Sequence, residues 1–157
     1  MKIISSAFRN GEMIPVKYTC NGENINPPLE FVEVPEEAVS LVLIMDDPDV
    51  PVQVREDRMW NHWIKFNIPP TTRGVAENSE PAGVAGIGTS ENLKYHGPCP
   101  PDTEHRYFFK LYALDTELDL PEGATKKEVE KAMTNHIIAQ AQLIGLYEQP
   151  EALKSIK

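Results

Sequence analysis

Two stretches of this chain alternate their side chains with a period of two, and each sets a histidine into the apolar row. From Trp60 to Ile68, one row holds Trp60, His62, Ile64, Phe66 and Ile68, and the other holds Asn61, Trp63, Lys65 and Asn67. Over residues 105–115, His105, Tyr107, Phe109, Leu111 and Ala113 form the apolar row. Such alternation puts neighbours on opposite faces of an extended strand but scatters them around a helix, so both stretches are predicted strands. Residues 41–45 add a continuous apolar run of buried-strand length, which ends in Asp46-Asp47-Pro48-Asp49-Val50-Pro51. Asp47 keeps the parity of Leu41, Leu43 and Met45.

The connections agree with a mainly β chain. There are 14 prolines in 157 residues, nearly twice the usual share of about 5%. Most sit in clusters between apolar runs, with Asn21-Gly22 as a further turn signal. Residues 73–101 are rich in Gly, Pro, Ser, Asn and Thr, and a loop of that length in a compact domain usually carries function. One helix is signalled: Thr125-Lys126-Lys127-Glu128 has capping-box spacing, and Val129, Ala132, Met133 and His136 follow at helical intervals, predicting a helix to about Ile138. Residues 139–147 could extend that helix, but Gly145 and the apolar Leu143, Ile144 and Leu146 also suit a last buried strand, which is the reading favoured. The length fits a single domain over residues 1–157.

Charge narrows the partners. Fifteen basic against 24 acidic residues give a net charge of −9, which repels nucleic acid but leaves room for one local anion site. No stretch approaches the roughly 20 apolar residues of a membrane helix, and the first residues are too short a run for a signal peptide, so a cytoplasmic location is expected. Cys20 and Cys99 are far apart and outside any CxxC spacing, so reduced thiols are the expectation.

An ionisable group on an apolar face costs several kcal/mol unless it is paired. Asp47, His62 and His105 each stand at the end of such a face, so the three are expected to line one cavity. His96-Gly97-Pro98-Cys99-Pro100-Pro101 adds a stiff wall, with Gly97 allowing close approach and offering its N–H as a donor. Arg106 has the opposite parity to His105 and is expected to pair with Asp47 or Asp49. Two rival readings use the same residues. Two His and one Asp can form a metal-binding triad, and Asp47 with His62 or His105 can act as an acid-base pair. A hydrolase lacks its nucleophile, since there is no Gly-x-Ser-x-Gly elbow and Cys99 lies between prolines.

Three motifs carry a family resemblance: Asp47-Pro48-Asp49-Val50-Pro51, Trp60-Asn61-His62-Trp63, and Gly97-Pro98-Cys99-Pro100-Pro101 with His105-Arg106-Tyr107. With Tyr18-Thr19-Cys20-Asn21-Gly22, Asn26-Pro27-Pro28-Leu29 and residues 139–147, the chain resembles the phosphatidylethanolamine-binding proteins, in their prokaryotic Raf kinase inhibitor-like branch, over residues 3–148. Residues 149–157 are then a C-terminal tail. The resemblance implies a large central antiparallel sheet, a smaller second sheet and one or two short helices. It also implies a pocket of Asp47, His62, Gly97, His105 and Tyr107, walled by Pro51, Trp60 and Pro98, that holds phosphate, a phosphorylated head group or a buffer anion. A binding module without catalysis, cofactor or metal follows from it. Homodimers, a protease or kinase partner, and proteinase inhibition through an exposed loop are also implied. So is a cis peptide bond from Val50 to Pro51. Asn26 stands for the branch's usual Ser and Phe31 for its usual Trp, and the chain ends about where the mammalian members' C-terminal helix would begin.

Overall fold

Residues 1–154 are described by the computed structural model. In chain order their strands are β1 (Lys2–Ile4), β2 (Glu12–Met13), β3 (Leu29–Val32), β4 (Ser40–Asp47), β5 (Trp60–Ile68), β6 (Gly74–Val75), β7 (Val84–Ala85), β8 (His105–Leu114) and β9 (Ile137–Tyr147). The helices are α1 (Lys126–Met133) and α2 (Glu151–Lys154), with a single 3-10 turn at Val16–Tyr18. A six-stranded sheet runs β2-β9-β8-β4-β5-β7, and a three-stranded sheet runs β1-β3-β6. The large sheet is antiparallel except for the short β2–β9 pair. Residues 155–157 of the C-terminal tail lie outside the described residues.

The apolar run at residues 41–45 becomes β4, which is buried along its whole length between β5 and β8. Its alternate side chains feed two cores. Leu41, Leu43 and Met45 join Phe109, Leu111 and Ala113 of β8 beneath the small sheet, where Ile3, Leu29 and Phe31 close the core. Val42 and Ile44 face the other way, against Val129 and Met133 of α1. At the end of β4 the same parity sends Asp47 to the first side. Asp46 goes to the second, where it accepts hydrogen bonds from Lys110 Nζ at 2.9 Å and Lys126 Nζ at 2.6 Å.

β5 departs from the alternation read in its sequence. Met45 pairs with Trp63 but Asp46 pairs with Asn61, so His62 is an extra residue bulged out of the ladder. A second shift lies between Leu41/Ile68 and Leu43/Lys65, where Asn67 adopts a positive φ of 52°. Each bulge flips the parity. Trp63 and Ile68 therefore share the first core, while Ile64 and Phe66 join the α1 side, rather than all the even-numbered residues sharing one face.

Three further expectations are corrected. The capping box at Thr125 and Glu128 starts α1 as read, but the helix stops at Met133 and not near Ile138, because Asn135 turns the chain with φ +68° into β9. All described peptide bonds are trans, that from Val50 to Pro51 included, and the tight turn follows Pro51, whose carbonyl accepts from Val54 N–H and Arg55 N–H. Cys20 and Cys99 are joined in a disulfide with Cα atoms 5.5 Å apart, across 79 residues of sequence, in place of the reduced thiols expected. Spacing cannot show that bridge, because the fold alone brings the two turns together.

Asp46 Oδ1 is buried without a hydrogen-bond partner, and the carboxylate holds two ammonium groups, one of them nearly buried. Asp46→Ala leaves Lys126 unpaired, so a loss of about 3 kcal/mol is expected by urea denaturation, in line with broken buried pairs. A loss below about 0.5 kcal/mol, as at ordinary surface positions, would show that the two lysines find other partners.

Candidate functional site

The bulge at His62, the C-terminal end of β4 and the N-terminal end of β8 open onto a cavity of about 400 Å³. Asp47, Trp60, His62, His105 and Tyr107 line it, as the sequence led one to expect. Val50, Val54, His96, Cys99, Pro100 and Pro101 complete the wall, so most of the lining is apolar. Gly97, Pro51 and Pro98 are not among the lining residues.

Asp47 and His105 are the most deeply buried charged partners here, with side chains 4% and 1% exposed. His105 Nδ1 lies 2.6 Å from Asp47 Oδ2, and His105 Nε2 lies 2.6 Å from Asp102 Oδ1. A ring whose two nitrogens both meet carboxylates is held as imidazolium. Burial pushes its pKa down, but the hydrogen bond and charge of Asp47, then those of Asp102, outweigh this and leave it above the ordinary value. Asp47 Oδ1 accepts from Asp49 N–H at 2.7 Å. Asp49 in turn binds the Arg106 guanidinium through both oxygens, at 2.8 and 2.9 Å, as the parity of Arg106 predicted.

His62 has the opposite environment. It is buried, and its Nδ1 lies 2.6 Å from the His96 carbonyl, which can only accept, so the N–H sits on Nδ1. Burial lowers its pKa to about 4, against the smaller raising effects of that carbonyl and of Asp47. At neutral pH the ring is uncharged, with Nε2 carrying a lone pair. Its edge packs on Tyr107, ring centroids 5.3 Å apart. The Tyr107 hydroxyl is buried and makes no hydrogen bond of normal geometry among the described residues, with the Asp47 carboxylate close enough to interact with it. Burial, then the charge of Asp47, holds its pKa far above the ordinary phenol value.

Gly97 serves the wall and not the cavity. Its N–H is taken by Asn24 Oδ1 at 2.8 Å, so it is not the donor expected from the sequence. A Cβ there would meet the Tyr18 carbonyl oxygen at 2.3 Å, which is why glycine is required. The Pro98 carbonyl accepts from Cys20 N–H, and the Pro100 carbonyl from Gln149 Nε2. Pro51 starts the turn that carries Val54 to the cavity. Sequence reading missed Asp102, Asn24 and the His96 carbonyl. Only Asp102 left a trace there, as a carboxylate three residues before His105.

The sequence profile described as phosphatidylethanolamine-binding protein matches residues 4–148. A UPF0098 protein of Chlamydia trachomatis serovar D is 50% identical over 149 residues, covering 95% of this chain and 99% of that protein. One from Methanothermobacter thermautotrophicus is 51% identical over 155 residues, covering 95% and 99%. The crystal structure of a phosphatidylethanolamine-binding protein homologue, CT736 of Chlamydia trachomatis, superposes with a TM-score of 0.92 at 50% identity, covering 95% of this chain and 97% of that one. Escherichia coli YbcL, described as a member of the mammalian family, gives 0.85 at 27% identity, covering 95% and 98%.

The two cavity histidines should pull stability in opposite directions. An unfolded imidazole titrates near 6.5. His62 stays neutral in the folded chain down to about pH 4, so its contribution is full above pH 6.5 and is lost as pH falls toward 4, by roughly 3 kcal/mol in all. His105 is raised, so its contribution is full below pH 6.5 and is lost as pH rises through its folded value. Urea denaturation from pH 8 to pH 4 should show His62→Gln flattening the acid limb and His105→Gln flattening the alkaline one. Identical pH profiles for both variants and the wild type would contradict the assignment.

Proposed function

Because the chain belongs to the phosphatidylethanolamine-binding protein family, we propose that its cavity binds a small phosphate-type anion bearing an apolar substituent, with His62 taking up a proton as the anion binds. The observation that carries this reading is the buried hydroxyl of Tyr107 in the cavity wall, which has no well-formed hydrogen bond although it lies near Asp47. Leaving such a donor unsatisfied costs about 1–3 kcal/mol, and an anion oxygen is the acceptor that removes the cost. Charge then sets the condition. Asp47, Asp102 and the His105 imidazolium sum to one negative charge, so an anion needs a compensating positive charge inside the cavity. His62 supplies it: with Nδ1–H committed to the His96 carbonyl, the added proton goes to Nε2 and is donated to the anion. Val50, Val54, Trp60, Pro100 and Pro101 offer the apolar contacts for the substituent.

This is a binding role without catalysis. His105 spends both nitrogens on carboxylates, which disfavours the metal triad and leaves His62 without a second free histidine to complete the acid-base pair of a hydrolase. One observation favours a second reading, proteinase inhibition through a loop: Val52 and Val54, beside the cavity, are 54% and 51% exposed. Assays against chymotrypsin-like enzymes would reveal it. The Raf kinase inhibitor-like branch, a regulatory role, a cytoplasmic setting, a homodimer and a protease or kinase partner are proposed on the family resemblance. Among the described residues no helix is long and apolar enough to cross a membrane.

Calorimetric titration with dimethyl phosphate and with sulfate, whose charges are constant, tests the reading. One proton taken up per anion makes affinity rise by about tenfold per pH unit between pH 7 and pH 5. His62→Ala should remove most of the binding and its pH dependence. Tyr107→Phe should weaken binding by about tenfold with little loss of stability, because the hydroxyl makes no well-formed hydrogen bond in the free protein. Binding that does not change with pH in the wild type would overturn the mechanism.

A further inference from the structure

Residues 86–104, which supply His96, Cys99, Pro100 and Pro101 to the cavity, contain no strand or helix. Hydrogen bonds that fasten the wall beyond β5 include Gly97 N–H to Asn24, Cys20 N–H to Pro98, Tyr95 Oη to Tyr18, Gln149 Nε2 to Pro100, Tyr95 N–H to Glu80 and Ile87 N–H to Ala124. Each is worth about 1 kcal/mol net. Three of these run to the turn at residues 18–24, and the covalent fastening, Cys20–Cys99, runs to the same turn. Its position is unusual for a structural staple. Cys99 lines the cavity itself, and both cysteines are only half-buried, so the bridge sits beside the space a ligand would fill. The same wall carries the His96 carbonyl that fixes His62.

We propose that Cys20–Cys99 is a thiol-exchange site through which a dithiol reductant switches the cavity between a binding-competent and a weakened state. This rests on the anion-binding reading given above. In the exchange, a thiolate of the dithiol attacks Cys99 Sγ, the S–S bond breaks, and Cys20 leaves as a thiolate that is protonated by water. The second thiol of the reductant then displaces Cys99 and closes the reductant's own disulfide. Two electrons and two protons pass to the protein, and the dithiol is oxidised to its disulfide. Loss of the bridge frees the wall from the turn at residues 18–24. The His96 carbonyl then no longer holds the Nδ1–H form of His62 in place, and fewer molecules present the competent site. In a reducing cytoplasm such a bridge is a point of control, since stable structural disulfides are rare there.

The test compares oxidised wild type, wild type reduced with dithiothreitol and moved anaerobically to pH 5, and Cys20→Ser/Cys99→Ser, by calorimetry with dimethyl phosphate and by hydrogen exchange over residues 96–101. The reduced and double-variant proteins should bind at least about fivefold more weakly, exchange faster at residues 96–101, and recover affinity on reoxidation of the wild type. By reciprocity, dimethyl phosphate should shift the bridge toward the oxidised form in a dithiothreitol redox buffer by the same factor. Equal affinity in the oxidised and reduced forms would overturn the proposal, and so would global unfolding on reduction, which would make the bridge a staple. If no form binds dimethyl phosphate or sulfate, the anion reading fails by itself. Hydrogen exchange then decides the switch: faster exchange at residues 96–101 on reduction supports it, and unchanged exchange overturns it.

Discussion

The contact between Asp47 and His105 is the interaction on which the site depends. Two charged groups at the ends of β4 and β8 are withdrawn from water, and burial of that kind costs several kcal/mol per ion unless each remaining lone pair and proton is matched. Here they are matched. Asp47 takes the Asp49 amide on its second oxygen, Asp49 takes the Arg106 guanidinium, and His105 takes Asp102 on its second nitrogen. The chain leaving β4 is thus bound to the start of β8 by two adjacent carboxylates, and the cavity opens between them. Removing any one partner strands the others, so the group acts as a unit and not as a sum of pairs.

Two histidines about one tyrosine then acquire opposite characters from their surroundings alone. His105, between two carboxylates, is charged before any ligand arrives. His62, buried against a carbonyl and an aromatic edge, is neutral. Carboxylates and imidazolium leave the cavity slightly negative, and among the described residues the Tyr107 hydroxyl is a buried donor in its wall without a well-formed hydrogen bond. On the proposed reading, selectivity follows from that balance: a ligand would need to be anionic enough to bring a proton onto His62 and small enough, at its charged end, to reach Tyr107.

Much of this was legible in residue order, and the exceptions have physical causes. The parity of β4 and β8 holds because those strands are paired on both sides and have little freedom to bulge; their ladder is regular from Ser40 to Asp46. Hence Asp47, His105 and Tyr107 could be placed on one face, and Arg106 on the other. β5 lies nearer the sheet edge, where bulges concentrate, and its two register shifts break the alternation at His62 and near Asn67. His62 reaches the cavity as a bulged residue and not as one of an even-numbered row. Gly97, the Cys20–Cys99 bridge and Asn24 depend on contacts between turns some 75 residues apart, and local pattern carries no information about which turns meet. Asn26 is buried and spans Ala76 and Ser79 with its amide, so it serves packing of the loop and not the cavity.

The proton-coupled character of the cavity is most directly tested by nitrogen-15 NMR of the His62 ring. In the ligand-free protein the ring should be neutral at pH 7, protonated on Nδ1, and should titrate near 4, while saturating dimethyl phosphate should raise that midpoint and place a second proton on Nε2. A His62 that titrates near 6.5 in the free protein and does not respond to the anion would contradict the account.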